Sequence, residues 1–411
     1  MKNIIIASFF SLFYIGSSFA QSNRKAVFVI VDGIPADVIE KIHTPSLDVI
    51  AKVGGYARAH VGGEKGGYSE TPTISAVGYN SLLTGTWVNK HNVWDNNITA
   101  PNYNYRTIFR FLKEQYPQKK AAVFSSWEDN RTKLVGERLD ATGNLKLDYH
   151  FDGLESDTVN YPHDTKRDFM HRIDEAVVSA ATDYIKKEAP DLSWVYLEYT
   201  DDMGHMYGDS PEFYKAIEMM DDQIGRLWSA IQYREKNFKE DWVIYITTDH
   251  GRSAGNGKGH GGQSDRERAT WIVTNARGLN NYFKTGNPGV VDIMPSIASF
   301  LNITIPRECL MEIDGIPLTG SISATSANAT LENGKLRVTW KAVAEKGNVK
   351  IWLATTNYFK EGGKDEYSVV ATAPLAKQEV VIDVSNTPSS FYKVAIEAPE
   401  NILNRWIVEG K

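Results

Sequence analysis

Short apolar runs rich in β-branched and aromatic residues alternate along this chain with long amphipathic segments, and this alternation restricts the possible folds more than any other feature. A continuous apolar run of about five residues is typical of a strand buried on both faces. Five such runs are present, at residues 26–31, 121–124, 194–199, 242–247 and 270–274. Buried strands that alternate with helices predict an α/β fold, with a mostly parallel sheet sandwiched by helices.

The longest helical pattern lies between residues 210 and 231. Its apolar side chains recur alternately at spacings of four and three residues, which places them on one face of a helix. They are Phe213, Ile217, Met220, Ile224, Leu227 and Ile231. Ser210 is a typical N-cap and Pro211 suits the first helical position. The segment therefore predicts an amphipathic helix with one buried face.

The pattern changes near residue 320. Residues 321–330 are rich in Ser, Thr and Ala, which predicts a linker. Beyond it, apolar and polar residues alternate at 336–340, 349–353 and 380–384, as in half-buried strands, and Asn333-Gly334 is typical of a hairpin turn. We therefore predict an α/β domain over residues 21–320, followed by a small β-sandwich of the Ig or Fn3 kind over residues 325–411.

Residues 1–20 have the features of a secretory signal peptide. Lys2 precedes a short apolar run, and small residues occupy the positions expected before a cleavage site, at Ser18 and Ala20. The run is too short for a comfortable membrane span, so we expect no transmembrane anchor. The chain is therefore predicted to be periplasmic or secreted.

Charge and cysteine content exclude several classes of site. A net charge of −6 without a basic run argues against a nucleic-acid scaffold protein. The single cysteine, Cys309, rules out an internal disulfide and a zinc site built on CxxC pairs. Any metal must therefore be bound by carboxylates, histidines or hydroxyl groups.

Acidic residues and histidines follow three of the predicted strands directly. Ligand sites in open α/β sheets form at the carboxyl ends of the strands. The residues are Asp32, then Asp201 and His205 on either side of an expected glycine turn, then Asp249 and His250, and His260 in a glycine-rich loop. This set suits two zinc-like cations with mixed nitrogen and oxygen ligands.

A hydroxyl group completes the set. The segment 71–75 contains Thr71, Thr73 and Ser75 and leads into a helix-like stretch that ends at Thr84-Gly85. A hydroxyl at a helix N-terminus lies where an anion is stabilised. Two cations a few ångströms apart would activate such a hydroxyl for in-line displacement at phosphorus.

The order of these motifs resembles that of the alkaline phosphatase superfamily, and most of all its type I phosphodiesterase/nucleotide pyrophosphatase branch. The resemblance extends over about residues 25–310 and implies an alkaline-phosphatase-like catalytic domain with two divalent cations, best matched by zinc. It also assigns the ligands. One cation is held by residues matching Asp32, Asp249, His250 and the nucleophile, and the other by residues matching Asp201, His205 and His260.

The resemblance identifies Ser75 as the nucleophile, with Thr73 as the alternative. In this superfamily the nucleophile lies ten residues before the glycine of a Thr-Gly pair, and counting back from Gly85 gives Ser75. The branch usually has threonine here. It also has an asparagine three residues later, where this chain has Gly78, so Asn80, Tyr79 or a backbone N–H is expected to replace that contact.

The stretch 91–96 resembles a His-Gly-Ile-x-x-Asn motif of the same branch and supports it over the classical monoesterases. We take Gly78, Asn80 and Asn96 as candidate substrate-binding residues.

The resulting prediction is metal-dependent hydrolysis of small-molecule phosphate esters through a phosphoserine intermediate. Phosphodiesters or nucleotide pyrophosphates are the preferred substrates. One alternative is a phosphomonoesterase, which the serine and Gly78 favour. Another is a binding protein that has kept the fold without catalysis, although the full set of ligands argues against it. The C-terminal sandwich is compatible with contact to a glycan or to another domain.

Overall fold

A computed structural model describes residues 23–409. The predicted signal peptide therefore lies outside the described residues. The strands of the first part of the chain are β1 (Arg24–Val31), β2 (Gly55–His60), β3 (Ala121–Ser125), β4 (Tyr149–Phe151), β5 (Leu192–Leu197), β6 (Asp241–Thr247) and β7 (Ala269–Thr274). They form one sheet in the order β2-β7-β6-β1-β5-β3-β4.

This sheet is mostly parallel, as predicted. Strand β1 pairs in parallel with β5 and β6, and β3 pairs in parallel with β4 and β5. The pairs β2–β7 and β6–β7 are antiparallel. The predicted strand at 194–199 is corrected at its end. The strand stops at Leu197, because Tyr199 already begins a helix.

Helices cover both faces of the sheet. They are α1 (Ala36–Ile39), α2 (Pro45–Val53), α3 (Ser75–Thr84), α4 (Val88–His91), α5 (Ile108–Gln115), α6 (Asp168–Glu188), α7 (Tyr199–Tyr207), α8 (Pro211–Phe238), α9 (Asp265–Arg268), α10 (Asn281–Thr285), α11 (Ile293–Phe300) and α12 (Arg307–Leu310). One buried apolar cluster joins the sheet to α3, α5 and α11, and a second joins it to α2, α6 and α8. The three-layer arrangement confirms the predicted fold class.

The long helix α8 is the one predicted at residues 210–231, although it continues to Phe238. The Ser210 hydroxyl accepts a hydrogen bond of 3.2 Å from the Phe213 N–H and caps it. All six residues of its predicted apolar stripe are buried.

The rest of the chain forms two antiparallel sheets. Their strands are β8 (Ala324–Glu332), β9 (Lys335–Ala342), β10 (Asn348–Ala354), β11 (Ser368–Pro374), β12 (Glu379–Asp383), β13 (Phe391–Glu397) and β14 (Ile402–Val408). One sheet has the order β11-β10-β13-β14 and the other β12-β9-β8, and a shared apolar core lies between them. Asn333 and Gly334, with φ of 50° and 70°, form the predicted hairpin turn between β8 and β9.

The predicted linker at 321–330 is wrong for most of its length. Residues from Ala324 onward form β8, which pairs with β9. This strand consists mostly of small and polar residues and is largely half-buried or exposed, so its sequence shows no apolar pattern.

Buried charges join the two parts of the chain. The Lys90 ammonium group donates to Asp314 at 2.6 Å and to Asn404 of β14 at 2.7 Å. The Lys393 ammonium group of β13 donates to Glu312 at 2.8 Å and to Asp365 at 2.7 Å. Among the described residues, no helix has both the length and the apolar character needed to cross a membrane.

Candidate metal centre and nucleophile

Three carboxylates meet at one edge of the first sheet, where its central parallel strands end. Asp32 directly follows β1, Asp249 lies just beyond β6, and Asp201 lies in the first turn of α7, which begins after β5. Donor atoms of Asp32, Asp249 and His250 lie within 4.8 Å of one another, and those of Asp201, His250 and His260 do so as well. His250 therefore belongs to two adjoining groups of ligands.

Asp32 and Asp249 each present one free oxygen to His250. Oδ1 of Asp32 and Oδ2 of Asp249 are buried without a hydrogen-bond partner, and they lie 3.3 Å and 3.2 Å from His250 Nε2. Burial, together with the charge of Asp201, raises the pKa of Asp32 to about 7, and burial also raises the pKa of Asp249. Buried anionic oxygens without partners are costly, so the residues present fit a bound cation.

His250, which is buried, and His260, which is half-buried, both keep the Nε2 lone pair available for coordination. Nδ1 of His250 lies 2.9 Å from the Gly251 carbonyl, and Nδ1 of His260 lies 2.9 Å from the Thr73 carbonyl. A carbonyl only accepts, so Nδ1 carries the proton in both rings and the Nε2 lone pair remains. Burial lowers the pKa of both histidines, which favours this neutral form.

Asp201 and His205 lie on one face of helix α7 rather than around the expected glycine turn. The helix continues through Gly204, and the spacing of four residues brings the two side chains together. His205 Nε2 is 3.1 Å from Asp201 Oδ2 and 3.0 Å from His260 Nε2. The hydrogen bond to Asp201 raises the pKa of His205. The turn prediction failed because this segment has no apolar periodicity.

The hydroxyl of Ser75, and not that of Thr73, lies beside these candidate ligands. Ser75 is the first residue of α3, and its Oγ lies 3.4 Å from His250 Nε2. The Thr73 hydroxyl is occupied elsewhere, since it donates to the Gly262 carbonyl at 2.8 Å and accepts from the Gly261 N–H at 2.9 Å. Of these two hydroxyls, only that of Ser75 faces the candidate ligands.

The three candidate substrate contacts differ in their surroundings. Asn96 is exposed near Ser75, and its Oδ1 accepts from the Ala76 N–H at 3.0 Å. Asn80 is buried within α3. A Cβ at Gly78 would lie 2.7 Å from the Asp249 carbonyl oxygen, and the Gly78 N–H already donates to Ile74. Gly78 thus allows α3 to pack directly on the Asp249 backbone.

Sequence reasoning missed Arg252. Its fully buried guanidinium donates to the Gly33 carbonyl at 2.9 Å, to the Asp201 carbonyl at 2.8 Å and to the Asp201 carboxylate. Burial alone would raise the pKa of Asp201, but Arg252, His205 and His250 together hold it below its ordinary value. The available signal was its position, because Arg252 directly follows Asp249-His250-Gly251.

The sequence did not predict that two tyrosines contact Asp32, since Tyr79 was expected as a substrate contact and Tyr196 was not expected in the site. The hydroxyls of Tyr79 and Tyr196 both contact Oδ2 of Asp32. Burial raises the pKa of both tyrosines, so they keep their protons. Tyr79 lies one helical turn after Ser75, a spacing visible in the sequence, whereas nothing in the sequence links Tyr196 to Asp32.

The comparisons with known proteins agree with the family resemblance seen in the sequence. The family described as type I phosphodiesterase / nucleotide pyrophosphatase matches residues 26–278, more than half of the chain. Human ectonucleotide pyrophosphatase/phosphodiesterase family member 7 is 24% identical over 245 residues, which cover 56% of this chain and 48% of that protein. A venom phosphodiesterase of Crotalus durissus collilineatus is 26% identical over 187 residues, which cover 44% of this chain and 21% of that protein.

The chain thus spans about half of the length of the human relative and about a fifth of the length of the venom protein. Among solved structures, the phosphonate monoester hydrolase of Agrobacterium radiobacter superimposes with a TM-score of 0.52 at 13% identity. The match covers 93% of this chain and 89% of that one, and at this identity it shows a shared fold.

Proposed function

Because the chain belongs to the type I phosphodiesterase/nucleotide pyrophosphatase family, we propose that it hydrolyses phosphate esters at a dinuclear zinc centre. Phosphodiesters or nucleotide pyrophosphates are the proposed substrates. One observation carries the proposal. The Ser75 hydroxyl and two unpartnered carboxylate oxygens converge on the same histidine nitrogen, Nε2 of His250.

The proposed ligands fall into two sets. Asp32, Asp249 and His250, with Ser75, form the first, and Asp201, His205 and His260 form the second. Their nitrogen and oxygen donors suit zinc. When bound, the two zinc ions would supply the positive charge that lowers the pKa of the nucleophile and neutralises the leaving oxygen.

Ser75 performs the displacement in this scheme. Its Oγ gives up its proton to solvent, attacks phosphorus and forms an O–P bond, while the bond to the leaving alcohol breaks and that oxygen takes the electron pair and a proton from solvent. Water then cleaves the phosphoserine and restores the hydroxyl. The N-terminus of α3 favours the anionic Oγ and the phosphoryl oxygens, since its partial positive charge points at them.

A phosphomonoesterase is the second candidate, and one observation favours it. The position three residues after the nucleophile is Gly78, and its close approach to the Asp249 backbone leaves no room for an asparagine side chain. Without that donor, the contact that the resemblance implies for a phosphoryl oxygen has to come from another group, such as Asn96.

The test compares bis-p-nitrophenyl phosphate with p-nitrophenyl phosphate, using residues 21–411 with added zinc. Faster turnover of the diester supports the proposal, and faster turnover of the monoester supports the second candidate. EDTA should abolish activity and zinc should restore it. Zinc binding without turnover of either ester would point to a binding protein.

Matched variants test the nucleophile. Ser75→Ala should be inactive and should form no phosphoserine after acid quenching, as detected by mass spectrometry of the peptide. Ser81→Ala removes another buried hydroxyl from the same helix and should keep turnover. Retained turnover in Ser75→Ala would exclude the phosphoserine scheme.

The proposal extends to domain organisation and export. Residues 21–320 would form the catalytic domain and residues 325–411 an Ig- or Fn3-like sandwich, which the two antiparallel sheets from β8 to β14 support. The features of residues 1–20 support a periplasmic or secreted enzyme. Purification of the mature protein from the periplasm or medium, followed by N-terminal sequencing, tests this.

A further inference from the structure

Asp32 is held by hydrogen bonds at both its side chain and its backbone. Its Oδ2 contacts the Tyr79 hydroxyl and lies 2.8 Å from the Tyr196 hydroxyl. Its backbone is held as well, since the Asp32 N–H donates to Leu197 at 3.1 Å and the Thr200 hydroxyl donates to the Asp32 carbonyl at 2.6 Å. Oδ1 is the one polar atom of this residue without a hydrogen-bond partner.

The two tyrosines come from different elements and meet at this oxygen. Tyr196 belongs to β5, the strand beside β1, and Tyr79 belongs to α3. Their hydroxyl oxygens are 2.8 Å apart and their rings pack with centroids separated by 4.9 Å. Both side chains are buried, so water does not compete for Asp32. This arrangement fixes the carboxylate in one orientation.

We propose that Tyr79 and Tyr196 are positioning residues that occupy Oδ2 of Asp32 and leave Oδ1 as its single donor to the cation. The inference rests on the proposed metal-dependent function. A carboxylate with both oxygens free can rotate or bind a cation through both of them, whereas one oxygen held by two hydroxyls cannot do so without breaking those bonds. Hydrogen-bond partners behind a ligand orient it and tune its affinity for the metal.

Tyr79 has a second consequence, because it lies four residues after Ser75 on the same helix. The contact from Tyr79 to Asp32 therefore sets the position of α3, and with it the nucleophile, relative to the ligands. Gly78 reinforces this placement, since its missing side chain lets α3 rest on the Asp249 backbone.

The experiment measures zinc affinity by calorimetry on metal-stripped residues 21–411. Tyr79→Phe and Tyr196→Phe remove only the hydroxyls. Each should weaken one zinc site about 10- to 100-fold, the magnitude typical for loss of such a partner. Tyr245→Phe is the matched control, because Tyr245 is an equally buried tyrosine of the same sheet whose hydroxyl lies near Ser296 and Thr274. It should bind zinc as the wild type does.

Substitution of cobalt for zinc distinguishes a positioning role of the two tyrosines from a purely structural one. The visible absorption of bound Co²⁺ reports its coordination number, so release of Oδ2 should alter the spectrum of both variants but not of Tyr245→Phe. Unchanged zinc affinity and cobalt spectra in both variants would overturn the inference, even if their stability fell. If the wild type itself bound no zinc, the proposed function would fail first and this inference with it.

Discussion

Replacing Arg252 by methionine should destabilise the protein more than removing any comparable surface arginine. The Arg252 side chain is fully buried and makes short charge-assisted bonds to the Gly33 carbonyl, the Asp201 carbonyl and the Asp201 carboxylate. Its two further contacts, at 3.4 Å and 3.3 Å to the Gly257 and Lys258 carbonyls, are long and contribute little.

The magnitude follows from these contacts. A hydrogen bond to a charged group contributes about 1.5–3 kcal/mol, and breaking one partner of a buried ion pair costs about 3–5 kcal/mol because the other charge is left unpaired. We therefore expect Arg252→Met to lower the free energy of unfolding of the metal-free protein by about 3–5 kcal/mol at pH 7.

Arg226→Met is the matched control. Arg226 also bonds to a carboxylate, that of Glu175 at 2.7 Å, but both side chains are about two-fifths exposed. Exposed pairs contribute about 0–1 kcal/mol, so this variant should lose little. Urea unfolding followed by circular dichroism measures both variants.

The pH dependence of the free energy of unfolding provides a second test of Arg252. Arg252 helps to hold the pKa of Asp201 below its unfolded value of 3.8. A carboxyl group with a lowered pKa stabilises the fold above the unfolded pKa and loses that contribution as the pH falls through the folded pKa. The difference in free energy of unfolding between the wild type and Arg252→Met should therefore become smaller below about pH 4. Equal losses in the two arginine variants, or a gap that widens in acid, would refute the reasoning.

Three other substitutions test separate features. His91 is buried with Nδ1 accepting from the Val93 N–H, and burial lowers its pKa to about 3. Its contribution to the free energy of unfolding should therefore fall by up to about 5 kcal/mol as the pH drops from 6.5 toward 3. His91→Asn should make the acid dependence of stability less steep, as measured by acid titration. Gly78→Ala should cost about 1–3 kcal/mol and slow ester hydrolysis by displacing α3, whereas Gly255→Ala, which faces open space, should do neither. Lys393→Met should lower the free energy of unfolding by about 3–5 kcal/mol, because it leaves the buried carboxylates of Glu312 and Asp365 without their cation. The exposed Lys335→Met should change it by less than about 0.5 kcal/mol in the same urea assay.

The sequence predicted the first sheet well because its central strands are buried on both faces. A strand such as β1 or β6 must then be apolar at nearly every position, and that pattern is visible without any partner. Strand β8 had no such signal, because it alternates small and polar residues and is ordered by pairing with β9. Helix α7 was missed for a related reason, since Met203 is its one fully buried apolar side chain and the segment shows no apolar stripe.

Candidate ligands could be identified from the order of their motifs, whereas the groups that orient them could not. With a single cysteine in the chain, the candidate ligands are limited to Asp, His or hydroxyl residues, and Asp32, Asp249 and His250 closely follow predicted strands. A group that orients a ligand needs only to reach it in three dimensions. Tyr79 and Tyr196 are 117 residues apart yet meet at Asp32, and Arg252 reaches Asp201 across 51 residues.

Gly204 was predicted to form a turn, but in the structure it lies within helix α7. A glycine between Asp201 and His205 suggests a turn, yet the segment is helical, and helical glycine is unfavourable by roughly 1 kcal/mol relative to alanine. The structure supplies the reason, because a Cβ at Gly204 would overlap the guanidinium of Arg252. The same holds at Gly33, which has a φ of +69° and where a Cβ would overlap the Asp201 carboxylate and lie 2.7 Å from Arg252 Nη2. Both glycines are therefore best understood as space for one buried arginine, whose charge keeps Asp201 ionised and in place.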